Sequence, residues 1–147
     1  MRLFLWYNIC MKKIAIENEN AAWNFGAELA KKLKPGDVVA LIGDLGTGKT
    51  TLTKSIAEGL GITEMITSPT FTIVQEYCSG RLPLYHFDVY RIRDNEEMYE
   101  LGYEEYFFGQ GVCVVEWADR IEELIPGGSI VIRIEYGENE EERIYTI

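Results

Sequence analysis

Nine consecutive residues, Gly43-Asp44-Leu45-Gly46-Thr47-Gly48-Lys49-Thr50-Thr51, hold the densest chemistry in the chain. They satisfy the spacing G-x-x-x-x-G-K-[ST], which suits a bound polyphosphate. Glycines at 43, 46 and 48 let the backbone turn tightly and aim its N–H groups inward without side-chain bulk, at the positive end of a following helix. Lys49 adds a point charge for the β- and γ-phosphates. The Thr50 hydroxyl is placed to bind Mg²⁺, an ion that keeps several waters and takes one or two protein ligands. All nine residues form the candidate nucleotide-binding set, and Lys49 also joins the candidate catalytic set.

A magnesium-triphosphate site needs an acidic residue from a neighbouring strand. Glu116, at the exit of Val112-Cys113-Val114-Val115, is the candidate, assigned with Thr50 to the metal and also to catalysis; a solvated strand-end carboxylate is the plainer alternative. In Tyr85-His86-Phe87-Asp88-Val89-Tyr90-Arg91, residues 86, 88 and 90 share one face of an alternating strand. Asp88 is the third catalytic candidate, to position or activate the attacking water or to hold metal-bound water, against the reading of a plain surface aspartate. His86 reads as a hydrogen-bonded structural residue and not as a base.

Four further residues keep two readings each. Thr70, in Ser68-Pro69-Thr70, could reach metal or phosphate as a switch segment does, or belong to a turn with no further role. Trp117 is most simply core packing, with stacking near the nucleotide as the second option. Arg91 and Arg120 could neutralise transition-state charge or merely pair with neighbouring acids. Base identity rests on an absence: there is no [NT]-K-x-D segment, whose carboxylate would pair with guanine, so ATP is expected over GTP.

The elements that must position these residues follow from pattern. Residues 12–17 read as a first strand. Asn20 is the expected cap of a helix whose apolar stripe is Ala22, Phe25, Leu29, Ala30 and Leu33, stopped by Pro35-Gly36. Residues 38–42 form a continuous apolar run, the mark of a strand covered on both faces, and lead through the glycine-rich turn into a helix over 49–60. Residues 71–77 and 84–90 are β-rich and separated by Cys78-Ser79-Gly80, which predicts a hairpin. Asp94 is the expected cap for a short helix over 96–101, residues 112–115 form a second buried strand, and 121–125 a helical turn stopped by Pro126-Gly127-Gly128. A closing hairpin pairs 130–136 with 143–147. The fold class is therefore α/β, a three-layer fold of P-loop NTPase type with a mixed sheet, parallel around the glycine-rich loop and antiparallel toward the edges.

Composition agrees and narrows the classes. The chain has 147 residues, is 47% hydrophobic and carries a net charge of −10, as a soluble globular domain does and collagen-like, low-complexity or multi-pass membrane chains do not. Residues 1–74 hold 8 basic and 7 acidic side chains; residues 75–147 hold 6 and 17. Nucleic-acid binders rely on basic stripes, so direct nucleic-acid binding is disfavoured. The acidic half could dock a basic protein partner or simply favour solubility. Cys10, Cys78 and Cys113 are scattered and odd in number, and His86 is the single histidine, which disfavours a disulfide framework or a zinc site and fits the cytoplasm. The opening apolar stretch is too short for a signal core or a membrane span. Residues 1–10 are set apart as an N-terminal extension or a start chosen upstream of Met11, and 11–147 as one domain.

Four blocks, in this order and spacing, resemble the TsaE (YjeE) family: Gly43 through Thr51; Ser68-Pro69-Thr70-Phe71-Thr72-Ile73-Val74-Gln75-Glu76-Tyr77; Tyr85 through Ile92; and Val114-Val115-Glu116-Trp117-Ala118-Asp119. The resemblance covers about 14–136, including Phe25-Gly26 and Leu29-Ala30, and departs at 1–10 and at the acidic 138–142 turn. It implies a bacterial cytoplasmic Mg²⁺-dependent ATPase, weak alone, needed for threonylcarbamoyladenosine next to the anticodon of tRNAs reading codons that begin with A. It further implies protein partners, the TsaD and TsaB subunits, whose complex is supported by ATP binding and reset by hydrolysis, with tRNA reached only through that complex. Under it Lys49 and Thr50 fall on phosphate and Mg²⁺ positions, Glu116 on the metal-linked acid and Asp88 on the acid required for hydrolysis.

Two rival readings use the same loop. A small-molecule kinase would need an arginine-rich lid and a substrate cleft, and no such lid segment stands in the sequence. A non-hydrolysing, ATP-gated binding module would need the cradle alone.

Overall fold

The computed structural model describes residues 11–147; the expected extension at 1–10, with Cys10, lies outside the described residues. Three strands at the centre of the sheet are buried on both faces or nearly so, and a fourth beside them is buried on one. β2 (Val38–Ile42) and β5 (Val112–Glu116) are buried at every position, β4 (Leu84–Asp88) at all but one, and β6 (Ile130–Tyr136) at Ile132 and Ile134. Alternation then assigns their side chains to two cores. Val39, Leu41, Val112 and Val114 pack with α1 (Glu19–Lys32) and α2 (Lys49–Gly59); Val38, Ala40, Ile42, Cys113 and Val115 pack with α3 (Glu96–Leu101), α4 (Tyr103–Phe107) and a 3₁₀ segment, Ala118–Leu124. Helix layers thus cover both faces of one sheet.

With β1 (Lys13–Ile16), β3 (Val74–Tyr77) and β7 (Arg143–Thr146), the sheet has seven strands in the order β1-β7-β6-β2-β5-β4-β3. β2 runs parallel to β5 and β6, and β4 parallel to β5; the β3–β4, β6–β7 and β1–β7 pairs are antiparallel. The mixed α/β architecture expected from the sequence is the one observed. Register matters most at the carboxyl ends: Leu41 and Asp88 each pair with Glu116, so one row across β2, β5 and β4 lies just below the glycine-rich turn.

Several local expectations are corrected. Asn18, not Asn20, caps α1: its extended backbone and its Oδ1, which accepts from the Ala21 amide at 2.9 Å, start the helix earlier, with Glu19 favourably placed in the first turn. β3 starts at Val74 rather than 71, because residues 69–73 form a turn in which the Ile73 amide donates to Pro69 O at 2.7 Å and Ile73 takes φ 71°. β4 stops at Asp88, after which the chain turns through residues 89–92. Asn95, not Asp94, occupies the N-cap of α3 and makes no side-chain capping bond; Asp94, one residue earlier, accepts from the Glu96 amide at 3.1 Å in a local turn. The 3₁₀ segment begins at 118, three residues before the expected 121. Helix α4 was not anticipated; Gly102, at φ 75°, ends α3 and redirects the chain into it.

Candidate functional site

The glycine-rich turn leaves β2 and delivers the chain to α2 with Gly46 at φ 81° and Gly48 at φ 102°, conformations that glycine adopts without a Cβ penalty. Among the described residues one loop amide bonds back to a loop carbonyl, that of Thr47 to Asp44 O at 3.2 Å, and the Thr47 hydroxyl donates to the same oxygen at 2.7 Å. Gly48 occupies the N-cap of α2 with no side-chain cap. The first amides of the helix and those of the glycines are therefore free to bind an anion, and the helix dipole adds to their field.

Lys49 is buried inside this turn. Its Nζ donates to Gly43 O at 2.6 Å and Asp44 O at 2.9 Å and stands 3.9 Å from the centre of the Trp117 ring. Burial holds its pKa below the usual lysine value, against the opposing pull of Glu116, Asp119, Asp88 and Asp44. Trp117 has φ 63°, and this left-handed turn at the exit of β5 leaves its indole partly buried against the core and also lining the cleft, so both readings of that residue hold in part.

Glu116 joins three elements. Its Oε1 accepts from the Thr50 hydroxyl at 2.9 Å; its Oε2 accepts from His86 Nε2 at 2.6 Å and from the Thr53 hydroxyl at 3.3 Å. The carboxylate is 3% exposed, so it is not the solvated strand-end group of the plainer alternative. His86 is fully buried and bonded, a structural partner as expected; among the described residues its Nδ1 has no partner. Thr53 and the His86–Glu116 bond were not foreseen, because only the strand register and the docking of α2 bring them together.

Asp88 is buried beside Glu116 in the adjacent strand. Its Oδ2 accepts from Ser68 at 2.9 Å and from Thr70 at 3.3 Å, and its Oδ1 accepts from the Tyr90 amide at 3.0 Å. The turn at 69–73 thus brings Ser68 and Thr70 to Asp88. Arg91 lies over the Phe71 ring and Arg120 over the Tyr90 ring, at 5.0 and 4.8 Å.

A cleft of about 400 Å³ gathers Leu45, Gly46, Gly48, Lys49, Thr50, Thr51, Thr70, Asp88, Glu116 and Trp117. Asp44 and Gly43 line a separate depression on the other side of the turn, so toward the cleft they act through their backbone. The donor set fits a magnesium-bound phosphate: a hydroxyl and a carboxylate, both hard oxygen ligands, stand 2.9 Å apart beside free amides and an ammonium group. Thr50 and Glu116 are the residues that would hold the ion.

The family model described as "Threonylcarbamoyl adenosine biosynthesis protein TsaE" matches residues 16–145. The tRNA threonylcarbamoyladenosine biosynthesis protein TsaE of Bacillus subtilis (strain 168) is 59% identical over 114 residues, 77% of this chain and 71% of that protein. The protein of the same name from Treponema pallidum (strain Nichols) is 42% identical over 85% of this chain and 89% of its own length. Among solved structures, that of Bacillus subtilis YdiB aligns with a TM-score of 0.77 and 46% identity, covering 92% of this chain and 83% of the other.

Proposed function

The chain belongs to the TsaE family, and from that premise we propose that it is an ATP-binding and ATP-hydrolysing protein of tRNA threonylcarbamoyladenosine biosynthesis. The observation that carries the ATPase part is the 2.9 Å pairing of the Thr50 hydroxyl with the Glu116 carboxylate, next to Lys49 and to glycine amides that have no backbone acceptor among the described residues. In this reading the amides of the turn and Lys49 bind the phosphates, and Lys49 exchanges its carbonyl partners for phosphate oxygens. Thr50 and Glu116 hold Mg²⁺, which when bound neutralises charge on the phosphate oxygens. Asp88 orients a water at the cleft and accepts its hydrogen bond, while Ser68 and Thr70 keep that carboxylate in place. Trp117 and Tyr90, whose ring centres are 4.7 Å apart, wall the cleft and limit its access to bulk water.

Family membership and charge support a reading of the partners as well. The chain works in the cytoplasm with TsaD and TsaB on tRNAs that read codons beginning with A; ATP binding supports the complex and hydrolysis resets it. With 17 acidic against 6 basic residues over 75–147, this chain leaves the tRNA to its partners.

One experiment tests the reading: capture of the tagged chain from its host with ATP, ADP or no nucleotide, alongside phosphate release by the complex. ATP-dependent capture of the two subunits, with phosphate release lost in Lys49→Ala, supports it. Capture indifferent to nucleotide, with release no greater than that of Lys49→Ala, sinks it. Phosphate transferred to an added metabolite would instead identify a kinase. ATP-dependent capture without phosphate release, unchanged in Asp88→Ala and Glu116→Ala, would identify a gated binding module.

A further inference from the structure

Resting on the phosphate-binding reading of the glycine-rich turn, we propose that Tyr136 and Arg143, on the β6–β7 hairpin, are positioning residues that hold that turn in its binding shape by fixing its carbonyls from behind. The Tyr136 hydroxyl donates to Leu45 O at 2.7 Å. Arg143 Nε donates to Thr47 O at 3.1 Å, and its Nη2 reaches Gly46 O at 3.5 Å.

A trans peptide is a rigid plane whose C=O and N–H point in opposite directions. Fixing Leu45 O on one side of the turn therefore fixes the Gly46 N–H on the other, and fixing Thr47 O does the same for the Gly48 N–H. Neither amide has a backbone acceptor among the described residues, and both belong to glycines at positive φ, the residues whose peptides flip most freely. Without an external hold these planes would sample several orientations, and a ligand would have to order them at the expense of affinity.

The hold is itself fixed before any ligand arrives. Arg143 Nη1 donates to Glu140 O at 2.8 Å and Glu142 O at 2.9 Å, tying the guanidinium to its own hairpin turn. The Arg143 group also lies over the Tyr136 ring at 4.8 Å, so the two side chains brace each other. Gly137 follows Tyr136 where a Cβ would meet the Glu142 side chain at 2.5 Å, which keeps the turn tight beneath the pair. A planar fork is needed to reach two loop carbonyls and two hairpin carbonyls at once, and lysine has none.

The test compares ATP with inorganic triphosphate as calorimetric ligands for wild type, Tyr136→Phe and Arg143→Lys. The first variant removes one oxygen from a residue 54% exposed and leaves the fold intact; the second keeps the charge, so long-range attraction of the anion is unchanged. Tyr136→Phe is expected to weaken both ligands by the same factor, about threefold to tenfold, with Arg143→Lys weakening both at least as much. KM for ATP should rise by that factor at constant kcat, and the melting temperature of Tyr136→Phe should match wild type. Weaker ATP with unchanged triphosphate would mean that these side chains touch the nucleoside, and overturns the inference. Unchanged affinity for both ligands overturns it too. Wild-type protein that binds neither ligand removes the phosphate reading, and this inference with it.

Discussion

Thr50 and Glu116, 66 residues apart in sequence, meet at 2.9 Å because the first turn of α2 is laid over the carboxyl end of β5. Their register is set from below: Leu41, two residues before the glycine-rich turn, pairs with Glu116 across β2 and β5. Glu116→Gln keeps the size of the side chain and most of its bonding capacity but removes the charge that would balance a divalent ion. ATP affinity without Mg²⁺ should stay within about threefold of wild type, while the gain on adding Mg²⁺ and the rate of phosphate release should each fall by about tenfold to a hundredfold. Calorimetry with and without Mg²⁺, beside a phosphate-release assay, reads both; a wild-type magnesium increment in the variant removes Glu116 from the metal site.

Asp88 stands beside Glu116 but faces other partners, the hydroxyls of Ser68 and Thr70 and the Tyr90 amide. Among the described residues this carboxylate lines the cleft with no hydrogen bond to Lys49 or Thr50, an arrangement suited to orienting a water. Asp88→Asn should leave ATP affinity within about threefold while lowering single-turnover hydrolysis by about a hundredfold. Turnover at the wild-type rate would take Asp88 out of the chemistry.

The part of the site that was legible in the sequence is the part built from local chain. The cradle and its lysine are one uninterrupted turn, so spacing alone identifies residues 43–51. Glu116 was legible because it follows a continuous apolar run, and Asp88 because it shares one face of an alternating run with His86, although that run extends to 90 and the strand itself ends at Asp88. Thr53, the partner of His86 and the Tyr136–Arg143 pair were hidden, since the contacts lie 63, 30 and roughly 90 residues away in sequence and no local pattern links them. Local competition explains the smaller misses. Asn18 and Asn20 flank one glutamate and only the backbone decides between them, while α4, at five residues, is too short to display a helical period.

Gly26 gives a prediction about stability that runs against helix propensity. It lies inside α1 opposite α2, where an added Cβ would sit 1.7 Å from Ser55 Oγ and 2.7 Å from Ser55 Cβ. Glycine to alanine in a helix interior ordinarily stabilises by about 0.5–1 kcal/mol. Here the clash outweighs that gain, and Gly26→Ala should destabilise by about 1–3 kcal/mol in urea unfolding. Gly26→Ala combined with Ser55→Gly removes the obstructing atoms, so the double variant should be more stable than the sum of the single changes implies. A Gly26→Ala single variant at or above wild-type stability would show that the two helices have room to separate.

Cys113 makes stability depend on alkaline pH. Its side chain is buried on the α3–α4 face of β5, where Sγ donates to Tyr106 O at 3.3 Å, and burial pushes its pKa up to about 12. In the unfolded chain the thiol ionises near its ordinary value of 9.0. The unfolded state therefore loses a proton that the folded state keeps, and the contribution to stability, whole below pH 9.0, declines as pH rises toward about 12. Tyr145, also raised to about 12 by burial despite the opposing charge of Arg143, adds a decline of the same sign above pH 10.0. Each group gives a limiting slope of about 1.4 kcal/mol per pH unit. The urea midpoint should thus hold steady through neutral pH and fall above 9.0, and Cys113→Ala should make that fall shallower. In a Cys10→Ser, Cys78→Ser background the remaining thiol should react with a thiol reagent at about pH 8 only as fast as the protein opens. Labelling at the rate of a free thiol would place Cys113 outside the core and remove the predicted slope with it.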